Sequence, residues 1–340
     1  MPLGLGLAAS HSPVLYRPRA QWEAINKMLV GSVPQPVRAT EQETPQVMDA
    51  YALRIEAAFQ DLRRRLEAYR PDALVVLACD HQRMFNESHT PQIHVHSGTE
   101  IWGSTRYPDL GEEESESARV TIPCHEELGD WLARELIWGG FDANQSRGMF
   151  NPLGDPVGGV GHTLTDPVLK LVPELNIPII PVHVNAHVDP AISGHRLVPL
   201  GRAIGVAMEE RPERIAILAS GGLSGHPGGY VAGWIDDVLD DWVLSYLKRG
   251  KSETLKTLWD YDSDILRGAT REIRTWLVVG AAMETGGAKA MVVDYIPFSH
   301  ATVGTAFAYW EAPEAVPARA SRRATATGAR PRRAAGPRSP

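Results

Sequence analysis

The stretch Ala73-Leu74-Val75-Val76-Leu77-Ala78, followed at once by Cys79-Asp80-His81, decides the reading of this chain. Six apolar residues without polar alternation describe a strand buried on both faces. Working outward, Leu3–Ala9 reads as a first strand stopped by His11-Ser12-Pro13, and Ile177–Val184 and Ile215–Leu218 read as two more. Ala290–Tyr295 is a last strand before the short apolar run Val303–Tyr309. Helical periodicity falls between them, over 46–68 (Ala52, Ile55, Phe59, Leu62 and Leu66 at steps of three and four), 125–137, 166–173, 196–210, 231–249 and 264–285. The arginines at 63–65 read as solvated, and residues 17–45, with Pro34, Pro36 and Pro45, as an irregular excursion. Strands alternating with helices predict an α/β fold, a single domain whose central, largely parallel or mixed sheet is flanked by helices. Ligands of such sheets sit beyond the carboxyl ends of the strands. His11, His81 and the segment 221–226 all stand just past one.

The chain has 340 residues, 43% hydrophobic and 22% charged. That balance excludes a mostly disordered or fibrous chain. No run approaches the roughly 18 apolar residues of a membrane span, and Met1–Pro13 reads as a buried strand and its turn, not a signal peptide. Two cysteines, Cys79 and Cys124, give no disulfide framework, which favours a reducing cytoplasm. The net charge of −7 hides an asymmetry: residues 315–340 carry seven arginines and no acid, leaving the rest at −14. Residues 1–312 are therefore expected to form the body, and 313–340 a basic, disordered tail. The tail has no interleaved aromatics and the body is acidic, so neither nucleic acid nor membrane is an expected partner.

Of twelve histidines, His11 and His81 are the most pointed, since neutral imidazoles at strand ends suit a divalent transition metal. Glu272 lies in a predicted helix, sharing a face with Trp276. By spacing alone it is equally a surface acid paired with Arg271 or Arg274. His94 and His96 alternate on a strand-like segment and can face one side. His183 and His187 flank Asn185 and can line a pocket, but no Cys or acid at ligand spacing makes them a second metal site. His89, His125, His195 and His300 read as surface or capping residues, with a pocket role open for His300. The nine tryptophans read as core.

Ala9-Ser10-His11-Ser12-Pro13, Asp80-His81, Gly221-Gly222-Leu223-Ser224 and Glu272-x3-Trp276 with Gly280-Ala281 occur in this order. Their order and spacing resemble the class III extradiol ring-cleavage dioxygenases over about residues 3–310. The resemblance implies one non-haem Fe(II) held by His11, His81 and Glu272, a face that leaves coordination sites open. It also implies acid/base roles for His162 and His226, a substrate with adjacent hydroxyls or a hydroxyl and an amino group, and O2 as co-substrate. A muconic semialdehyde-type product, an assembly of identical subunits and, in some members, a small capping subunit follow too. The tail is too short for that cap, so a separate subunit or the excursion 17–45 would cover the site. Two departures stand out. His162 sits in Gly161-His162-Thr163 where the family has Asp-His-Gly, and Gly225 separates Ser224 from His226 where the family has none. Gly225 is expected to let the loop turn tightly through a positive φ. These departures leave open an inactive metal-binding or scaffold homologue, or a zinc hydrolase on the same triad.

Overall fold

The computed structural model describes residues 2–86, 88–106, 111–113, 115–149 and 159–313. The expected basic tail and most of the glycine-rich loop before His162 lie outside these residues.

An eight-stranded sheet runs through the body in the order β6-β3-β7-β2-β8-β1-β10-β9. Its strands are β1 Leu3–Ala9, β2 Ala73–Ala78, β3 Ile93–His96, β6 Ala143–Ser146, β7 Ile179–Val184, β8 Ile215–Ser220, β9 Met291–Phe298 and β10 Val303–Glu311. The central strands β7, β2, β8 and β1 pair in parallel, while β10 and β9 close one edge antiparallel. β3 runs antiparallel to β7 and parallel to β6 at the other edge. The mixed, mainly parallel sheet is the one the sequence predicts. A separate hairpin joins β4 Glu100–Ser104 to β5 Arg119–Pro123.

All six residues of β2 are buried, three on each face. Val75 and Leu77 join the core under α5 Gly194–Glu209 and α8 Ile273–Thr285, while Leu74 and Val76 join the core under α2 Pro45–Tyr69 and α4 His162–Leu171. A strand covered on both faces can be apolar throughout, which is why its sequence shows no alternation. In α2, Thr44 caps the first turn by accepting the Val47 N–H and Pro45 opens it, as both residue types do best there. Of its arginines, Arg65 is not simply solvated: its guanidinium lies 3.4 Å from the centre of the Tyr309 ring and pairs with Asp61 and Glu311. α3 Glu126–Trp138 packs beside α5.

Several sequence expectations move. The excursion 17–45 contains a helix, α1 Trp22–Val30, and a wide turn at Arg38–Gln42. The helix expected over 166–173 starts four residues earlier, at His162. The helix expected over 231–249 is α6 Asp237–Lys248, begun by Asp236 accepting the Leu239 N–H; the short α7 Ser252–Leu255 follows. The helix expected over 264–285 is two tight turns, Asp264–Leu266 and Gly268–Glu272, before α8. Glu272 therefore stands at the entrance of α8, not on its body. Trp22, Trp276 and Trp310 are core, but Trp138 and Trp234 are exposed at 75% and 55%. Among the described residues, no helix is long and apolar enough to cross a membrane.

Candidate metal centre

His11 follows β1, His81 follows β2 and Glu272 precedes α8; one ligand atom from each lies within 4.8 Å of the others. Parallel strands end on one rim of the sheet, and that rim brings His81 to Glu272, 191 positions away in sequence. Glu272 is buried. Its Oε2 stands 3.0 Å from His11 Nε2, and its Oε1 stands 3.0 Å from His81 Nε2 and 3.2 Å from His187 Nε2. Its Oε2 also accepts the Gly222 N–H at 3.1 Å. Glu272 does not pair with Arg271 or Arg274: Arg271 pairs with Asp189 and Arg274 donates to the Ile192 carbonyl. Burial alone would raise the Glu272 carboxyl, but the charge of His11 and the bonds from His11, His187 and His81 hold it well below its ordinary value.

The hydrogen bonds around His11 test whether these residues suit a cation. The Ser220 hydroxyl donates its one proton to the Thr163 carbonyl. Toward His11 Nδ1, 3.0 Å away, Ser220 can then only accept. Nδ1 therefore carries the proton, and the Nε2 lone pair of a neutral His11 aims at a carboxylate oxygen. Two electron-rich atoms at 3.0 Å repel unless a proton or a metal lies between them. The donor set fits a divalent metal, and Ser220 fixes the tautomer that ligation needs.

The surrounding contacts hold this geometry. Trp276 Nε1 donates to the Gly221 carbonyl at 2.8 Å, and Thr275 Oγ1 bonds the carbonyls of Ser220 and Glu272. A Cβ on Gly221 would meet the Glu272 carbonyl at 2.9 Å, so only glycine lets that loop lie so close. Thr163 Oγ1 donates to the Cys79 carbonyl at 2.6 Å, tying α4 to the end of β2.

His162, the first residue of α4, sets its ring edge-on to His11 and His81 with centroids 5.5 and 5.1 Å away. Burial, then the neighbouring His81 and His11, push its pKa well below the usual value, so it is neutral. Arg17, from the excursion, ion-pairs with Asp166 in the first turns of the same helix. His226 sits four residues past Gly222, on the loop that serves Glu272. Its ring packs on Tyr230 with centroids 5.5 Å apart, and its Nδ1 is buried with no hydrogen-bond partner. Among the described residues, the ring contacts that link His11, His81, His162 and His187 do not include it. Gly225 does not have the positive φ expected of it. It is required by proximity: a Cβ there would collide with the Thr302 carbonyl, where Gly225 bridges Val303.

A family model described as the catalytic LigB subunit of aromatic ring-opening dioxygenase matches residues 31–308. The chain belongs to this family. The matched stretch holds His81, His162, His226 and Glu272; His11 precedes it. A 2,3-dihydroxyphenylpropionate/2,3-dihydroxicinnamic acid 1,2-dioxygenase of Klebsiella pneumoniae (strain 342) is 29% identical over 174 residues, 51% of this chain and 49% of that protein. A protein of the same description from Photorhabdus laumondii is 28% identical over 193 residues, 56% and 51% of the two chains. Another, from Klebsiella pneumoniae subsp. pneumoniae, is 23% identical over 279 residues, 68% and 83%. The matched stretch thus spans about half the length of the first two relatives. The crystal structure of an uncharacterized protein from Escherichia coli K12 shares the fold, with a TM-score of 0.51 at 15% identity over 90% of this chain and 99% of that one.

His187, read from the sequence only as able to line a pocket, joins this centre through Glu272. It stands in the loop after β7, its ring centroid 4.5 Å from that of His81. Burial drives its pKa down to about 4, with His81 adding to the effect. No motif carries it; only its position after a buried strand, shared with His11 and His81, hints at it. His300 is not a surface residue: it is buried, and its ring and N–H bond Glu43, which also accepts the Ser299 N–H at 2.7 Å. This pair pins the excursion to the β9–β10 turn.

Proposed function

We propose that the protein is an extradiol dioxygenase, opening an aromatic ring beside two adjacent hydroxyls, or a hydroxyl and an amino group, and adding both atoms of O2. The observation that carries this reading is the buried Glu272 carboxylate set between His11 and His81, with His162 beside both. His11, His81 and Glu272 would hold one Fe(II), which when bound supplies Lewis acidity for adjacent hydroxyls and a redox centre for O2.

The chain's own residues handle protons and position. Ser220 keeps the His11 proton on Nδ1, and Gly222 N–H and His187 hold the Glu272 carboxylate in place. His162, kept neutral, can take a proton from a substrate hydroxyl or return one as the O–O bond breaks. His226 is likewise pushed below its ordinary pKa, chiefly by burial, and so is neutral. Its unpartnered Nδ1 is the group assigned in this reading as base for the second hydroxyl. A muconic semialdehyde-type product leaves. A homo-oligomer and a cytoplasmic setting belong to the same reading, and the excursion, through Arg17, covers the site in place of a capping subunit.

Anaerobic reconstitution with Fe(II), followed by a panel of catechols and aminophenols under O2, tests the reading. A yellow semialdehyde chromophore with matching O2 uptake is expected, lost in His11→Ala. Tight zinc binding without O2 uptake would replace it with a metal-bound-water hydrolase, and no metal binding would leave a scaffold.

A further inference from the structure

A second group of histidines lies away from the metal centre. The pairing of β3 with β7 sets His94 opposite His183, and the pairing with β6 sets His94 and His96 opposite Asn144 and Ser146. Side chains of a strand alternate, so these five share one face. They floor a cavity of about 370 Å³ whose walls include Phe85, Met84, Ile101 and Leu164. That volume falls in the range of small-molecule sites.

The polar floor is nearly saturated. His94 Nδ1 bonds Asn144 Oδ1 at 2.6 Å, and His94 Nε2 bonds Ser146 Oγ at 3.0 Å. His96 Nε2 donates to the Glu100 carbonyl. His183 is the exception. Both of its ring nitrogens are buried and neither has a hydrogen-bond partner, while its ring packs on Phe85 with centroids 4.7 Å apart. A buried imidazole left unpaired is costly, so this one is an address for a ligand that can donate and accept.

The charge of the ligand follows from the walls. Among the described residues, no Lys or Arg lines the cavity. Its acid, Asp80, spends its carboxylate on the Met84 and Phe85 N–H groups. Burial drives His183 down to about 3 and His94 to about 4, so both imidazoles are neutral at pH 7. A carboxylate would find no countercharge here, and its desolvation would go unrepaid.

We propose that this cavity is a second small-molecule site, which takes an uncharged aromatic ring bearing a hydroxyl and holds that hydroxyl on His183. The site stands independently of the metal-centre reading. Its walls nonetheless adjoin that centre: Asp80 precedes His81, and Gly161 and Thr163 flank His162.

Phenol is the probe, titrated into the full-length, metal-loaded protein and followed by the imidazole NMR signals of His183. Saturable shifts of those signals are expected, with benzoate binding at least about tenfold more weakly. His183→Phe should weaken phenol by about tenfold or more, and His183→Gln, which keeps a donor and an acceptor, should restore part of it. The Glu272→Gln protein should still show the His183 shifts, which separates this site from phenol bound at the metal centre. Unmoved His183 signals, or equal phenol affinity in His183→Phe of unchanged thermal melt, would overturn the proposal, as would benzoate binding as tightly as phenol.

Discussion

Two clusters of histidines sit in one sheet and have opposite electrostatics. At the rim past β1 and β2, His11, His81 and His187 close around the Glu272 carboxylate. On the face of β3 and β7, His94 and His96 bond only amide, hydroxyl and carbonyl groups, and His183 bonds nothing. The first gathers negative charge and calls for a cation; the second is driven neutral by burial. The residue type is the same, and the Glu272 carboxylate bonded to the first group's imidazoles makes the difference.

The largest effect should come from removing that acid without changing its shape. Glu272→Gln should lose more than the roughly 10–100-fold in metal affinity that outer partners of a ligand command, with ring cleavage lost alongside; metal titration read by an Fe(II) or Co(II) spectrum checks it. Retained affinity would erase the contrast between the clusters.

The neutral cluster should be acid-sensitive chiefly through desolvation, with no carboxylate taking part. Folded values of about 4 for His94 and 3 for His183 lie below the ordinary 6.5. The unfolded chain then binds more protons between pH 6.5 and 4, so stability is lost as pH falls through that window. At about 1.4 kcal/mol per unit, His183→Phe should flatten the loss between pH 6.5 and 4.5 by roughly 2–3 kcal/mol, read by denaturant unfolding at several pH values.

Asp240 sharpens the comparison from the acid side. It is buried among hydroxyls, bonding Ser224 Oγ at 2.9 Å and Tyr295 Oη at 2.7 Å. Burial raises its pKa to about 6, the reverse of Glu272. The folded state then holds the proton more tightly, so this contribution is full below pH 3.8 and is lost as pH rises toward 6. Asp240→Asn should remove up to about 3 kcal/mol of that pH dependence, measured as the slope of unfolding free energy between pH 4 and 7.

The smallest expected effect is at Ser220. Ser220→Ala frees the tautomer of His11 without touching a ligand and should cost roughly 10–100-fold in metal affinity. A change in the His11 nitrogen NMR shifts toward a tautomer mixture would accompany it; an unaltered shift would assign the tautomer to something else.

Much of the centre was legible beforehand. His11 and His81 could be marked because buried parallel strands are uninterrupted apolar runs, and whatever follows them faces the rim. Glu272 needed the motif order, since its spacing allowed a surface acid as readily. His187 reads from the sequence as a pocket residue, but its approach to Glu272 spans 85 residues and no local pattern shows it. α1 escaped because its nine residues lie among prolines that read as loop. The role of Gly225 was misread because a close approach to Thr302 is a tertiary fact, invisible in the dihedral preferences of one residue.

The sequence by itself determined the layered α/β body, the buried parallel strands and which histidines end them, because burial on two faces and helical periodicity are written in local apolar pattern. Only the tertiary structure decided which histidines meet a carboxylate and which are left neutral, and that His183 has no partner. Electrostatics and desolvation depend on distances between groups far apart in the chain, and the folded sheet alone sets those distances.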